Sequence, residues 1–294
     1  MVDATFQFSM SNLPDQPLVS ICVPTFQHSA YIKNCLESIV AQETNFPFEI
    51  LVGEDCSTDG TREICIEYAE RFPDRIRLFL RRDEEKMILL GKKTGRSNHL
   101  KLYESARGKY ICFCDGDDYW CDTQKLQKQV RIMESNATIM LCTTNTRIEG
   151  SISGFPIGLP ETDVLFDPKE LRNKFYLGHI SSWMVRNHMK EILANPIVRM
   201  PVYLDLVFFL FYRLKGKVYY LSDITSVYNF NPNGIYRGNS EKENHKALYR
   251  KHWLLFRYLH RDPILFLRAI FYTLRRGVDI FLLRGIKKLW LWKN

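Results

Sequence analysis

The first half of the chain alternates short apolar runs with helical stripes, the pattern of a layered α/β core. Residues 18–23 form an apolar run closed by Pro24, and Thr25 to His28 read as a loop. Ile32, Cys35, Leu36, Ile39 and Val40 then recur at helical spacing, predicting a helix over 31–42. A second strand is predicted at 48–52, followed by an acidic loop over 53–61. That loop feeds a helix striped by Ile64, Cys65, Tyr68, Ala69 and Phe72. A third strand falls at 76–80, a charged connection at 81–97, a short helix near 99–107 and a fourth strand at 109–114. Strand, helix and strand in this order predict a doubly wound, mostly parallel α/β sheet with right-handed crossovers.

Beyond residue 120 the pattern loosens. Leu126, Val130 and Met133 mark an amphipathic helix, and 139–143 reads as a strand. Residues 151–160, rich in Gly, Ser and Pro, read as a separating loop. Strand-like runs follow at 179–186 and 218–221, flanking an intensely apolar helix with Asp205 at its head. From Tyr249 onwards aromatic and aliphatic residues alternate with Arg and Lys, as in two or three amphipathic helices. The segments this implies are 1–16, a half built from 17–150, a second half from 151–240, and a basic amphipathic helical tail over 241–294.

Charge sharpens that division. The net charge is +8, yet 241–294 alone carries 13 Lys/Arg against 4 Asp/Glu, so the body is near neutral. A basic, aromatic tail suits the anionic inner face of the plasma membrane, with Trp290 and Trp292 at headgroup level. The alternatives are a hairpin packed on the body and, ranked last, a nucleic-acid surface, so nucleic acid is not expected as a partner. No run of 18 apolar residues and no signal-like start is present, which makes the expected location cytoplasmic and peripheral to the membrane. The eight cysteines (22, 35, 56, 65, 112, 114, 121, 142) mostly fall in apolar segments and form no CxxC pair, the pattern of reduced core thiols.

The candidate chemistry lies at the strand ends. The fourth strand runs into Asp115-Gly116-Asp117-Asp118, three carboxylates within four positions, where an open α/β sheet binds ligands. Crowded carboxylates repel one another unless a cation bridges them, and a hard ion such as Mg²⁺ or Mn²⁺ commonly carries substrate phosphates. Asp115-Gly116-Asp117 as an extended segment sets two carboxylates on one side, with a glycine admitting a ligand to the backbone. Asp118 alone reads as a solvated helix cap. Asp55 is a ligand-binding carboxylate or a helix cap, with Asp59 the better cap. Asp205 is either a charge that suits the helix dipole or a general base at the rim of an apolar wall. His28, His99, His179 and His188 read as ordinary polar residues.

Three stretches, 17–26, 49–61 and 106–120, together resemble the inverting family-2 glycosyltransferases of the GT-A fold, a Rossmann-like, mostly parallel sheet. The resemblance is clear over 17–145, looser to about 240, and does not reach the tail. It implies that Pro24, Thr25 and Phe26 line a nucleobase pocket, that Asp55 binds uracil or its ribose, and that Asn98 lies near the nucleoside. Asp115-Gly116-Asp117 would be the DxD motif, with Asp115 toward the ribose and Asp117 toward an Mn²⁺ or Mg²⁺ ion. Asp205 would be the catalytic base. Where the family often reads Tyr-Arg-x-His, this chain reads Tyr228-Asn229-Phe230-Asn231, so Asn231 stands at the metal-touching position and a cation is lost at 229. Arg237, Lys92, Lys93 or Arg96 would then supply positive charge to the phosphates. The implied reaction is metal-dependent inverting transfer from a nucleotide-sugar, a UDP-sugar for preference, to a glycan or polyprenyl-linked acceptor in surface polysaccharide synthesis.

Two rivals remain. A sugar nucleotidyltransferase would carry a glycine-rich basic phosphate loop after the first strand, where this chain has Pro24-Thr25-Phe26-Gln27. A non-catalytic, membrane-associated sugar-nucleotide binder is favoured only by Asn229 and Asn231.

Overall fold

The computed structural model describes residues 16–150, 159–173 and 177–229. Spatially the chain divides into two units, Met1–Met200 with Leu204–Asn231, and Pro201–Tyr203 with Pro232–Asn294. The expectations for Asn231, Arg237 and the tail over 241–294 lie outside the described residues.

In the first unit the alternation expected from the sequence is present. In order the elements are β1 (Val19–Thr25), α1 (Ile32–Val40), β2 (Phe48–Glu54), α2 (Thr61–Arg71), β3 (Ile76–Leu80), β4 (Met87–Leu89), β5 (Lys92–Thr94), α3 (Arg96–Ser105) and β6 (Tyr110–Phe113). They are followed by β7 (Tyr119–Trp120), α4 (Lys125–Ser135), β8 (Ile139–Glu149), β9 (Val164–Phe166), β10 (Met184–Arg186), α5 (Met189–Leu193), α6 (Leu204–Lys215) and β11 (Lys217–Asn229). The main sheet runs β3-β2-β1-β6-β10-β8-β11-β7, with β9 on β11. Its first four strands are parallel, and β10 enters antiparallel between β6 and β8. The inner faces of β1, β2 and β6 bury Val19, Ile21, Ile50, Val52 and Cys112 against Ile32, Leu36 and Ile39 of α1 and Cys65 and Tyr68 of α2. These are the positions that the helical stripes mark.

Departures occur where polar residues mask a strand. β8 and β11 reach 11 and 13 residues, well beyond the apolar cores the sequence displays. Their extensions carry Thr, Ser and Asn, and the buried hydroxyls satisfy one another across the ladder. Thr144 Oγ1 lies 2.6 Å from Thr225 Oγ1, and Thr146 Oγ1 lies 2.9 Å from Ser226 Oγ. The expected strand over 179–186 opens instead as a 3-10 turn, Ile180–Ser182, leaving only Met184–Arg186 to pair. The connection over 81–97 holds the β4–β5 hairpin, turned through Leu90 and Gly91 at φ 53° and 78°. All eight cysteines are free, six of them buried, as read from the sequence.

One buried charge ties β1, β2, β3 and the loop before β6 together. Glu49, fully buried, accepts from Ser20 Oγ (2.7 Å) and from the Arg107 backbone N–H (3.0 Å) through Oε1. Its Oε2 accepts from Arg77 Nη1 (3.0 Å) and Arg107 Nη2 (2.8 Å). Burial alone would raise its pKa, but the bonds from Ser20 and Arg107 and the Arg77 charge outweigh it and hold the carboxyl below its usual range. Glu49→Gln leaves two guanidinium groups facing a neutral amide, and a loss of about 3 kcal/mol in urea denaturation is expected. An unchanged midpoint would show that the cluster contributes nothing.

Candidate active site

The C-terminal ends of β1, β2 and β6 form one rim, held by main-chain bonds that cross between loops. Asp55 N–H donates to Thr25 O (3.0 Å), and Gly116 N–H donates to Pro24 O (3.0 Å). Gln27, at φ 56°, clamps the first two loops: its N–H donates to Ser57 Oγ (2.9 Å) and its Oε1 accepts from Thr58 N–H (2.7 Å). Cys56 in the facing loop also sits at positive φ, 64°. Such conformations persist only where surrounding bonds enforce them, and they cluster at functional loops.

At one end of the rim lies Asp55. Asp59 takes the helix-start bonds, accepting from Thr61 N–H at 3.1 Å, so Asp55 is not a cap. Asp55 is 3% exposed and its Oδ1 has no hydrogen-bond partner. Burial pushes its carboxyl up to about 6, against the opposing positive charge of Lys86. The Lys86 ammonium stands 3.9 Å over the ring of Phe26, itself 43% exposed. Pro24 is buried at the strand end. Asn98 is 1% exposed: its Nδ2 donates to Gly53 O (2.7 Å) and its Oδ1 accepts from Arg81 Nε (3.3 Å). Asn98 therefore supports the floor beneath Asp55.

At the other end stand the acids. Residues 115–118 are a turn, closed by Asp118 N–H to Asp115 O at 2.9 Å, and not the extended segment expected. The room left by Gly116 is used by the protein itself. A Cβ there would come within 2.4 Å of Thr25 Oγ1 and 2.9 Å of His28 Nδ1. Asp115 and Asp117 are half-buried. Burial and the negative charges of Asp117 and Asp205 raise the Asp115 carboxyl to about 7.

Asp118 is no solvated cap. It is 1% exposed, takes a bond from Ser181 Oγ, and accepts from Asn229 N–H at 3.2 Å. Burial and the charges of Asp117 and Asp115 push its pKa well up. Asn229, where a cation was expected, also donates through Nδ2 to Asp117 O (2.9 Å), clasping the turn to the end of β11.

Aromatic packing sets where Asp205 stands. Tyr103 of α3, Phe113 of β6 and Phe208 of α6 meet with ring centroids 5.3–5.6 Å apart. Asp205 lies three residues before Phe208 on one helix face, and Asp115 opens the turn two residues after Phe113, the last residue of β6. The cluster thus brings both carboxylates to the same corner. Arg96, whose Nη1 donates to Val198 O (3.1 Å), feels the Asp205 charge from α3. Lys93 instead pairs with Asp83, and Lys92 is exposed on the hairpin.

The rim thus carries a buried carboxylate, Asp55, at one end and half-buried acids at the other. The profile of the glycosyl transferase family 2 matches residues 20–186, the stretch that contains this rim. The chain belongs to that family. Within it, the chain is 34% identical over 118 residues to a putative teichuronic acid biosynthesis glycosyltransferase, TuaG of Bacillus subtilis, covering 40% of this chain and 42% of that one. The chain spans 27% to 42% of the length of the curated relatives it matches. Two solved structures share the fold. TarS 1–349 of S. aureus in complex with UDP-GlcNAc has a TM-score of 0.63 at 19% identity, over 86% of this chain and 72% of that one. A mannosyltransferase of Pyrobaculum calidifontis in complex with GDP-Man and Mn²⁺ has a TM-score of 0.57 at 17% identity, over 90% and 73%. The α/β sheet is thus of the GT-A type.

In this family-2 domain the structure gathers Pro24, Thr25, Phe26, Asp55, Asn98, Asp115, Gly116, Asp117 and Asp205 around one rim. Sequence reading missed Lys86 and His28, and it named Asn229 only as a lost cation. A lysine in a charged connection and histidines in loops give no local signal, because only the folded loops bring them to the acids. Among the described residues no group of three or more His, Cys, Asp or Glu is arranged to hold a metal ion.

Asp55 ionises near pH 6 in the folded chain and near 3.8 otherwise, so folding takes up a proton between those values. Stability falls as pH rises through about 6. Asp55→Asn is expected to raise stability at about pH 7.5 by about 1–2 kcal/mol and to flatten the acid-side dependence, read by thermal denaturation across pH. A lower Tm at neutral pH would contradict the assignment.

Proposed function

We propose that this chain is a metal-dependent inverting glycosyltransferase that moves a sugar from a UDP-sugar to a hydroxyl of a glycan or polyprenyl-linked acceptor, in surface polysaccharide synthesis. The observation that carries this reading is the crowding of Asp115, Asp117 and Asp205 at one sheet corner, with Asp115 raised to about 7 by burial and by the charges of its two neighbours. Such a group becomes comfortable when a cation joins it. Two half-buried carboxylates offer the hard oxygen donors that suit a divalent ion such as Mg²⁺ or Mn²⁺. Asp115 and Asp117 would hold that ion. When bound, it supplies neutralisation of the charge that grows on the leaving diphosphate.

The remaining steps belong to the chain's own residues. Asp55 Oδ1, buried and unpartnered, accepts the imide N–H of uracil, whose face rests by Phe26. Lys86 and Arg96 bring positive charge to the donor, a task that Asn229 does not perform. Asp205, at the head of α6, takes the proton from the acceptor hydroxyl as that oxygen attacks the anomeric carbon from the face opposite the diphosphate. Similarity to a putative teichuronic acid biosynthesis glycosyltransferase supports an acceptor that is a growing surface glycan. Its basic aromatic tail would place the enzyme on the inner face of the plasma membrane, where polyprenyl carriers reside. Among the described residues no helix is long and apolar enough to cross a membrane.

Two variants separate the roles. Asp117→Ala is expected to lose Mn²⁺ binding and transfer together. Asp205→Asn should keep Mn²⁺ and UDP binding while transfer drops by about 10³-fold or more, a loss within the range that general-base catalysis supplies. UDP release in the presence of acceptor, with calorimetry of UDP binding, reads both. Turnover retained by either variant would remove that residue from its role. A second measurement addresses the tail: the full chain should float with anionic liposomes at low salt and be released at high salt, and equal recovery with neutral liposomes would count against membrane attachment.

A further inference from the structure

His28 stands between the loop after β1 and the acidic turn, and its main chain is pinned on both sides. Its N–H donates to Thr61 Oγ1 (2.8 Å), and its carbonyl accepts from the N–H groups of Tyr31 and Ile32, both at 2.8 Å. The ring meets Tyr31 edge-on at 6.4 Å, so its position is set by the start of α1 and the start of α2 together. On one side Nδ1 lies 3.2 Å from Thr25 Oγ1, and on the other Nε2 lies 3.6 Å from Asp117 Oδ2. Gly116 leaves the space that this arrangement requires, since any Cβ there would strike both Thr25 and His28.

The carboxylate of Asp117 favours one arrangement of protons along this chain of groups. A neutral imidazole carries a proton on one nitrogen only. The Thr25 hydroxyl, which is 2% exposed, is a donor as well as an acceptor and can give its proton to Nδ1. The ring proton then sits on Nε2, the nitrogen that faces Asp117. At 3.6 Å the contact is long for a hydrogen bond, and such contacts close when a site binds its ligands.

We propose that Thr25 and His28 are positioning residues for Asp117: Thr25 fixes the imidazole tautomer, and Nε2–H holds Asp117 Oδ2, leaving Oδ1 to the divalent cation. This role rests on the proposed binding of the cation by Asp117. Thr25 then serves the acidic turn, and the loop after β1 takes part in cation binding without supplying a ligand.

The test uses the full-length chain and equilibrium Mn²⁺ binding in the presence of UDP, followed by electron paramagnetic resonance. UDP binding in EDTA and thermal denaturation serve as controls. A glutamine amide nitrogen reaches about as far as Nε2, whereas an asparagine amide reaches only Nδ1. His28→Asn and Thr25→Val are expected to weaken Mn²⁺ binding by about 10–100-fold, the usual effect of removing a partner that orients a metal ligand. His28→Gln should stay within about 3-fold of the parent, and UDP binding in EDTA should be unchanged in both His28 variants. If Asp117→Ala loses Mn²⁺ while His28→Asn and Thr25→Val bind it as the parent does, the positioning role is overturned and the proposed function stands. If His28→Gln loses as much as His28→Asn with the fold intact, the Nε2 contact is not the cause and the proposal likewise falls. If Asp117→Ala itself binds Mn²⁺ normally, the failure belongs to the reading of the acidic turn.

Discussion

Like charge gathered at a sheet edge is the constraint around which this molecule is built. Asp115, Asp117, Asp118 and Asp205 come from one turn and one helix end, and each meets the repulsion differently. Asp118 withdraws into the protein, where Ser181 and Asn229 satisfy it. Asp115 and Asp117 stay half-buried at the surface, and Asp205 is brought to them by the packing of Tyr103, Phe113 and Phe208. The fold spends buried hydrogen bonds on the acid that holds the turn in shape and keeps Asp115 and Asp117 half-buried beside it.

The division between the two halves of the sheet reflects this constraint. The parallel half, β3-β2-β1-β6, supplies the ends of β1, β2 and β6 to the rim, and Asn98 and Arg81 bond one another beneath it. The remaining strands deliver fastenings. β11 ends in Asn229, which grips the acidic turn by its backbone N–H and by its amide, and the 3-10 turn before β10 presents Ser181 to Asp118. A glycosyl transferase family 2 domain that lacks a cation at position 229 thus uses that position mechanically, as a clasp.

Much of this architecture was legible in the sequence, and the boundary of legibility has a physical meaning. β1, β2, β3 and β6 are mostly apolar runs, broken by Ser20, Glu49 and Arg77, because both faces of a parallel sheet are covered, and a run of that kind announces itself. The carboxylates at their ends were equally visible. By contrast β8 and β11 hide their length behind Thr and Ser, whose polarity suggests loop until the cross-ladder hydroxyl pairs are seen. Asp118 looked solvated because nothing local says that Ser181, more than sixty residues away, will cover it. Lys86 and His28 carried no pattern at all; their significance comes wholly from the neighbours that folding supplies.

Gly116 shows how such neighbours bind a sequence together. Its missing side chain is filled from the far side by Thr25 and His28, so three positions ninety residues apart share one small volume. A methyl group gained at 116 has no place until 25 or 28 gives up bulk, and bulk lost at 25 or 28 opens a hole under the turn. Drift at any of the three is thereby confined to narrow, stepwise routes in which the order of exchanges matters, and a loop that looks free to vary from the outside is held by a space on its inner side.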